Sequence, residues 1–219
     1  MNAQNRKIPE HQAIYSRIRD AILFGELVPG QAVTIQGLAD MIGAGMTPAR
    51  EAIRRLTSEG ALETLGNRRI VVPRLDAGQV EELAYARLAI EPKLAEMAAN
   101  AGTLQLVAEL TAIDAELDGA IATGSVGAYL RHNHRFHFRL YRAAGTTILT
   151  DLARSLWLRS GPSLRVVCGR FGTANLPDMH DQALAGLRAG DAAAVRSAMA
   201  EDIAQGMDQV RRALADDGD

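Results

Sequence analysis

Four polar residues with side chains that can bind a metal ion are spread over the second half of the chain. Asn133 and His137, in the segment RHNHRFHFRL, are four residues apart, so on a helix their side chains point the same way, about 40 degrees apart around the axis. His180 and Asp202 are equally distant from Asp191, where a turn is expected. A hairpin folded at that turn brings them to the same height on adjacent helices. The four residues could therefore converge.

Two imidazoles and one carboxylate suit a divalent ion such as Zn, Ni, Mn or Fe, with Zn favoured, and Asn133 could add a weak amide oxygen. His134, within one turn of His137, is a rival ligand. The alternative is that His137 and His180 are hydrogen-bonded core or cavity histidines. The chain has no HExxH or GxSxG motif and no phosphate-cradling loop. We therefore expect no enzymatic activity, with a metal-dependent enzyme as the alternative.

Three arginines on one expected helix, in the segment TPAREAIRRLTSEG, could contact DNA. Arg50 and Arg54 share a face, and Arg55 lies beside them. The opposite, apolar face is formed by Ala49, Ile53 and Leu56. An arginine placed in the major groove can bind guanine O6 and N7. A basic face is also typical of a solvated helix, so the surrounding elements must decide between the two.

Those elements predict a winged helix-turn-helix over residues 1–75. Apolar residues at helical spacing predict a first helix over 11–25, and Thr34 can cap a short second helix. Thr47 is the expected N-cap of the third helix, and Pro48 is its expected first residue. A short helix followed by a basic helix at this distance favours the DNA-binding interpretation.

A β-hairpin is expected after the third helix, because two β-prone runs flank Gly66-Asn67. Arg68 and Arg69 would stand at its tip, where they could bind phosphate or the minor groove. The alternative is a solvent-exposed arginine pair. Together, the three helices and this hairpin complete a winged helix.

From Asp76 onward the sequence becomes rich in Ala, Leu and Glu at helical spacing, which predicts an antiparallel all-helical bundle over 76–219. The expected helices span residues 77–101, 103–123, 126–144, 147–170, 177–189 and 191–215. A kink is expected at Gly161-Pro162. The fold class is therefore mainly α, with a winged helix followed by a helical bundle.

Composition limits the class of protein further. With 47% hydrophobic and 23% charged residues, the chain can bury a core and is not intrinsically disordered. The net charge of -2 excludes a uniformly basic nucleic-acid coat, although residues 1–75 hold ten Lys and Arg against seven Asp and Glu. The single Cys168 predicts a buried thiol in a reducing compartment. Without a signal peptide or a long apolar run, we expect a cytoplasmic protein with no membrane partner.

The stretch LVPGQAVTIQGLADMIGAGMTPAREAIRRLTSEGALE resembles the GntR family of bacterial transcription regulators, with its PG turn and its TPVREAL-type recognition helix in register. The resemblance implies that Thr47 and Arg50 work near DNA, with Arg54 also close. This chain departs from the family at Gly45-Met46, where Ser-Arg is usual. One basic DNA contact is therefore absent.

The second half, with ARLAIEPKLAEMAANAG near its start, is similar to the FCD effector domain, a helical bundle that binds small molecules and dimerises. The resemblance implies a metal site at Asn133, His137, His180 and Asp202. The family usually has Asp at the first of these places and His at the last. The carboxylate has changed position, and the site keeps one fewer strong donor, which should weaken it.

Arg87 and His134 are the candidate effector-binding residues. Arg87 and Glu91 are spaced as a salt bridge within one helix, and the alternative is that Arg87 faces an anionic effector. Arg159 or Arg165 could also pair with the charge of an effector that binds the metal.

We therefore predict a ligand-responsive transcription regulator that binds a double-stranded DNA operator and a small carboxylate effector. A repressor is favoured over an activator. A homodimer is expected, because one recognition helix reads only a few base pairs. Two alternatives remain. One is the metal-dependent enzyme, with an N-terminal part that only dimerises, and the other is a DNA-binding dimer that needs no effector.

Overall fold

The computed structural model describes residues 9–66, 69–171 and 178–216, and helices dominate it. The elements in chain order are α1 (Glu10–Leu23), β1 (Ala32–Val33), α2 (Ile35–Ile42), α3 (Met46–Ser58), β2 (Glu63–Thr64), β3 (Ile70–Val71), α4 (Ala77–Asn100), α5 (Leu104–Ala122), α6 (Val126–Ala143), α7 (Ile148–Phe171), α8 (Met179–Ala189) and α9 (Ala192–Asp216). The predicted fold class, a winged helix followed by a helical bundle, is confirmed.

The two helices of the helix-turn-helix begin in different ways. The Thr34 hydroxyl accepts a hydrogen bond of 2.9 Å from the Gly37 N–H, so Thr34 caps α2 as predicted. The predicted cap of α3 is wrong, because α3 begins at Met46 with Gly45 as its N-cap. Thr47 and Pro48 instead lie in the first turn, where proline is tolerated because the N–H groups there have no helical acceptor.

The predicted hairpin forms, and it belongs to a three-stranded sheet of order β1-β3-β2. Strands β2 and β3 pair Glu63 with Val71, and β1 pairs Ala32 with the same Val71. Strand β1 was not predicted, because two residues are too few to show an alternating pattern. Arg68, at the predicted tip, lies outside the described residues.

The C-terminal helices form an antiparallel bundle. Helix α4 packs along α9, α8 packs against α9, and α5 packs against α6. Helix α7 continues past Pro162 to Phe171. The buried interior of the bundle includes Leu94, Phe136, Leu140 and Met199. Within the described ranges, no helix is long and apolar enough to cross a membrane.

A continuous hydrophobic core joins the winged helix to the bundle. Helix α1 packs on α3 on one side and on α7 on the other. Gly161 of α7 makes this approach possible, because a Cβ atom there would lie 2.6 Å from the carbonyl oxygen of Leu23. The end of α1 is therefore held directly against the bundle.

Gly161→Ala should destabilise the protein by about 1–3 kcal/mol, because the new methyl group meets backbone that cannot move without separating α1 from α7. The matched control is Gly119→Ala in α5, where an added Cβ meets no heavy atom within 4 Å. That change should stabilise the protein by about 0.5–1 kcal/mol through helix propensity. Urea denaturation measures both. Equal stabilisation by the two variants would contradict the close junction.

Candidate functional site

Three potential metal ligands meet inside the bundle. His137 comes from the middle of α6, His180 from the first turn of α8 and Asp202 from the middle of α9. The Nε2 atoms of the two histidines are 3.4 Å apart, and Nε2 of His137 lies 3.2 Å from Oδ2 of Asp202. Nε2 of His180 lies 3.9 Å from Oδ1 of the same carboxylate. The structure thus brings together three of the four predicted ligands.

Hydrogen bonds on the far side of each imidazole assign its ring proton. Nδ1 of His180 lies 3.1 Å from Oδ1 of Asp114, and an ionised carboxylate can only accept, so this nitrogen donates. Nδ1 of His137 lies 2.9 Å from the hydroxyl of Tyr141, whose single proton is donated to Glu91 at 2.7 Å. Nδ1 of His137 therefore also carries a proton. In its neutral form each ring therefore keeps its proton on Nδ1 and presents an Nε2 lone pair to the centre.

The centre therefore collects three electron-pair donors, which a cation would hold together. Two nitrogens bound to one zinc ion at about 2.1 Å with a tetrahedral angle are about 3.4 Å apart. The two Nε2 atoms have the same separation. Metal-bound histidines commonly donate their other N–H to a neighbouring acceptor, as these rings do to Asp114 and Tyr141. The donor set fits a divalent metal.

Burial and charge act differently on the three groups. Burial lowers the pKa of His137, and Asp202 offsets only part of that effect. Burial also acts to lower the pKa of His180, but the hydrogen bond to Asp114 and nearby carboxylate charges raise it overall. Burial acts to raise the pKa of Asp202, but contact with His137 and nearby positive charge bring it to about 2. Asp202 is therefore ionised at neutral pH.

A cavity of about 60 Å³ adjoins two of the three ligands, His137 and Asp202. Asn133, one helical turn before His137, lines it together with His137 and Asp202, so the fourth predicted residue faces the same space. This volume holds about four water molecules. Water or a ligand of a few atoms can therefore lie beside the centre.

Arg87 lines the same cavity, but its charge is already paired. Its Nε and Nη2 atoms donate to the two oxygens of Glu91 at 2.6 and 3.2 Å, and its guanidinium carbon lies 4.7 Å from the ring centre of Trp157. The side chain of Arg87 is buried. These contacts favour the salt-bridge interpretation of Arg87 and correct the expectation that it offers an unpaired charge to an effector.

The other candidate effector residues lie elsewhere. His134 stacks on Phe138 with ring centres 4.4 Å apart, and it lines a different cavity from Asn133. Burial lowers the pKa of His134 to about 3, so the ring is neutral at physiological pH and offers no charge to a carboxylate. The guanidinium of Arg159 lies against the end of α3, and the side chain of Arg165 is outside the described part.

The outer partners Asp114 and Tyr141 were not identified from the sequence. A signal exists for Asp114, because it falls among apolar residues at helical spacing that the structure buries. These residues are Leu110, Ile113 and Leu117. An acidic residue on such an inward face needs a buried partner. Tyr141 follows His137 by one turn and carries no comparable signal.

The candidate DNA-binding surface is the outer face of α3. Thr47, Arg50 and Arg54 are exposed on this helix, and the two arginines form no ion pair with any described residue. The opposite face is buried against α1 and α2, through Ala49, Ile53 and Leu56. The helix therefore presents two exposed guanidinium groups, and its opposite face is packed against the rest of the winged helix.

Two other arginines that were predicted to contact DNA, Arg55 and Arg69, do not lie on the outer face formed by Arg50 and Arg54. Arg55 donates to Glu59 at 2.9 Å, and its guanidinium carbon lies 3.8 Å from the ring centre of Tyr15. Arg55 therefore holds α3 against α1. Arg69 is exposed in the loop that joins β2 to β3, where its carbonyl accepts from the Leu65 N–H at 2.8 Å.

Two protein families match the chain. Residues 10–72 match the gntR family of bacterial regulatory proteins, and residues 82–205 match the FCD domain. Among curated proteins, the HTH-type transcriptional regulator McbR of Escherichia coli (strain K12) is 28% identical over 191 residues, which cover 86% of each chain. The Nta operon transcriptional regulator of Aminobacter aminovorans is 32% identical over 130 residues, covering 58% of this chain and 60% of that protein.

Solved structures agree. The structure of E. coli McbR/YncC superposes with a TM-score of 0.87 at 26% identity, covering 94% of this chain and 99% of that one. A transcriptional regulator from Rhodococcus sp. RHA1 superposes with a TM-score of 0.76 at 21% identity, covering 91% and 96%, and shows the shared fold. The similarity therefore extends over both the winged helix and the bundle.

Tyr141→Phe should destabilise the protein by about 1–3 kcal/mol, because it leaves Nδ1 of buried His137 without a partner and removes one of the hydrogen bonds that Oε2 of Glu91 accepts. The matched control is Tyr85→Phe, since Tyr85 is 79% exposed. Its stability should change by less than about 0.5 kcal/mol. Chemical denaturation measures both variants. Equal effects would show that the Tyr141 hydroxyl does not connect His137 to Glu91.

Proposed function

This chain belongs to the GntR family of bacterial transcription regulators that carry an FCD domain, and from that premise we propose that it is a ligand-responsive repressor. Its family and relatives are DNA-binding regulators, so the metal-dependent enzyme is not retained. The observation that carries the proposal is the exposed face of α3 formed by Arg50 and Arg54, neither of which forms an ion pair with a described residue. A DNA target places its action in the cytoplasm.

In this proposal the outer face of α3 lies in the major groove. Arg50 and Arg54 bind base edges or phosphates there, and Thr47, near the start of the helix, contacts the DNA backbone. Met46 is 39% exposed beside them, where it can touch a thymine methyl group. Arg55 supports the helix through Tyr15 and Glu59 and makes no direct contact.

We propose that the regulator acts as a homodimer on a pseudo-palindromic operator. A single α3 reads only a few base pairs, which is too little for selection among the many competing sites of a genome. Two copies joined through their bundles would read two half-sites one helical turn apart. Arg68 and Arg69 of each wing would add phosphate contacts beside each half-site.

We propose that His137, His180 and Asp202 hold a divalent metal, with zinc favoured. The support is the meeting of two Nε2 lone pairs and an ionised carboxylate, together with the outer partners that orient each ring. A bound metal would supply Lewis acidity toward a carboxylate. Asn133 stands at the edge of the same cavity and can add a hydrogen bond to that ligand.

The small cavity beside this centre is the proposed site of a compact carboxylate effector. Arg87 is paired with Glu91, so the effector charge would be met at the metal. Trp157 of α7 donates to the same Glu91 at 2.7 Å, and four residues later Gly161 touches α1. A ligand that shifts α7 would therefore change how the winged helix is held, and so change operator affinity.

The double substitution Arg50→Ala, Arg54→Ala should weaken binding about 100-fold or more to a DNA site that the wild-type protein selects from a random pool. Each arginine contact is worth about 1–3 kcal/mol, and loss of charge should also flatten the dependence of affinity on salt. Fluorescence anisotropy at several salt concentrations measures both effects.

Arg212→Ala is the matched control for this experiment, because Arg212 is exposed on α9, far from α3 in sequence. Its DNA affinity should equal that of the wild type. Arg55→Ala should instead lower the thermal stability, since Arg55 contacts Tyr15 and Glu59. Unchanged affinity and selectivity in the double variant would refute the proposed DNA surface.

Asp114→Asn should weaken zinc binding about 10–100-fold, because Asp114 orients His180 and raises its basicity. Wild-type affinity should also fall as the pH is lowered, since the metal must displace the proton that His180 retains. Glu116→Gln, on the same helix but bonded to Arg135, is the control and should bind zinc normally. Competition titration with a chelating dye measures each affinity. Zinc binding unaffected by Asp114→Asn would contradict the proposed role of His180.

A further inference from the structure

A large cleft lies between the winged helix and the bundle, beside the contact of α1 with α7. Its volume is about 540 Å³, and its walls come from α1, α3, α6 and α7. The lining side chains that matter here are Tyr15, Arg19, Arg55, His134, Arg142 and Arg154. The cleft lies behind α3, because Arg55 faces α1 whereas Arg50 and Arg54 face outward.

Arginines outnumber carboxylates in this cleft. Its walls carry four arginines against Glu59 and Asp151. Glu59 is bound by Arg55 and by the Tyr15 hydroxyl, at 2.9 and 2.6 Å, and Asp151 is bound by Arg154. Both carboxylates therefore already have hydrogen-bond partners.

Arg142 is the one lining arginine whose side chain forms no ion pair or hydrogen bond with any residue the structure describes. Burial and the positive charges of Arg154, Arg139 and Arg19 lower its pKa. Arg154, Arg139 and Arg19 each have a carboxylate partner, so Arg142 is the group whose repulsion from its neighbours no described carboxylate offsets directly. An anion placed beside it would relieve that repulsion and would gain a charge-assisted hydrogen bond.

The size and lining of the cleft indicate what kind of anion fits. Pockets for organic ligands usually measure about 300–1,000 Å³ and combine apolar walls with a few polar groups. Leu23, Leu158 and Phe138 supply apolar surface here, and the neutral ring of His134 adds a flat face. The cavity beside His137 is about 60 Å³ and is too small for an aromatic molecule.

We propose that this cleft is a second ligand site, which binds an aromatic carboxylate with its carboxylate on Arg142 and its ring against His134. The site goes beyond the proposed metal-dependent effector site and needs no metal. Because its walls come from both the winged helix and the bundle, an occupant would hold the two parts in one arrangement.

Isothermal titration calorimetry of the full-length protein, stripped of metal on a chelating resin, tests this site with benzoate, phenylacetate and phthalate. At least one of these probes should bind, and neutral benzamide should not. Arg142→Gln should weaken that binding about ten-fold or more, whereas Arg212→Gln, an exposed arginine on α9, should leave it unchanged. Thermal melting of both variants checks that the fold is intact.

Three results would overturn the proposal. They are no binding of any of the three carboxylates, binding that Arg142→Gln and Arg212→Gln affect equally, and binding that appears only after zinc is restored. The last result would instead support the metal-dependent effector site. If the protein does not bind zinc but binds benzoate without metal, the result would support the cleft site and contradict the metal-dependent effector site.

Discussion

A buried carboxylate, Glu91, determines how the central helices of the bundle are arranged. It is fully buried and accepts hydrogen bonds from Arg87, Tyr141 and Trp157, which come from α4, α6 and α7. An unpaired carboxylate at this depth would cost several kcal/mol, so all three partners must remain in place. Tyr141 then fixes the ring proton of His137. The chemistry of the candidate metal centre therefore depends on a residue that does not belong to it.

Helices α6 and α7, which bind Glu91, also contact the end of α1 in the DNA-binding part. On α6, His137 faces the centre, while His134 packs against Phe24 at the end of α1 with ring centres 5.6 Å apart. On α7, Trp157 binds Glu91, while Gly161 touches Leu23. A small rotation of either helix would change both the centre and the junction. Any effector can shift this equilibrium only by its difference in affinity for the two arrangements.

The sequence predicted most of the helices to within one or two residues, because long apolar repeats leave little choice of face. The closeness of His180 and Asp202 followed from the turn near Gly190, which sets the register of α8 and α9. The place of His137 beside them was implied by the resemblance to the FCD domain. The cap of α3 was wrong because Thr47-Pro48 is typical of a helix start yet lies within the first turn. Partners from distant helices could not be predicted, since no local pattern pairs Asp114 with His180 or Arg55 with Tyr15.

The proposed cation site of this transcription regulator consists of two imidazole lone pairs and an ionised carboxylate. The most direct measurement is a crystal structure of the zinc-loaded protein with diffraction data on both sides of the zinc absorption edge. We expect one anomalous peak about 2.1 Å from Nε2 of His137 and of His180 and bound to Asp202. No anomalous peak between intact, similarly oriented histidines would contradict the account and leave them as hydrogen-bonded core residues.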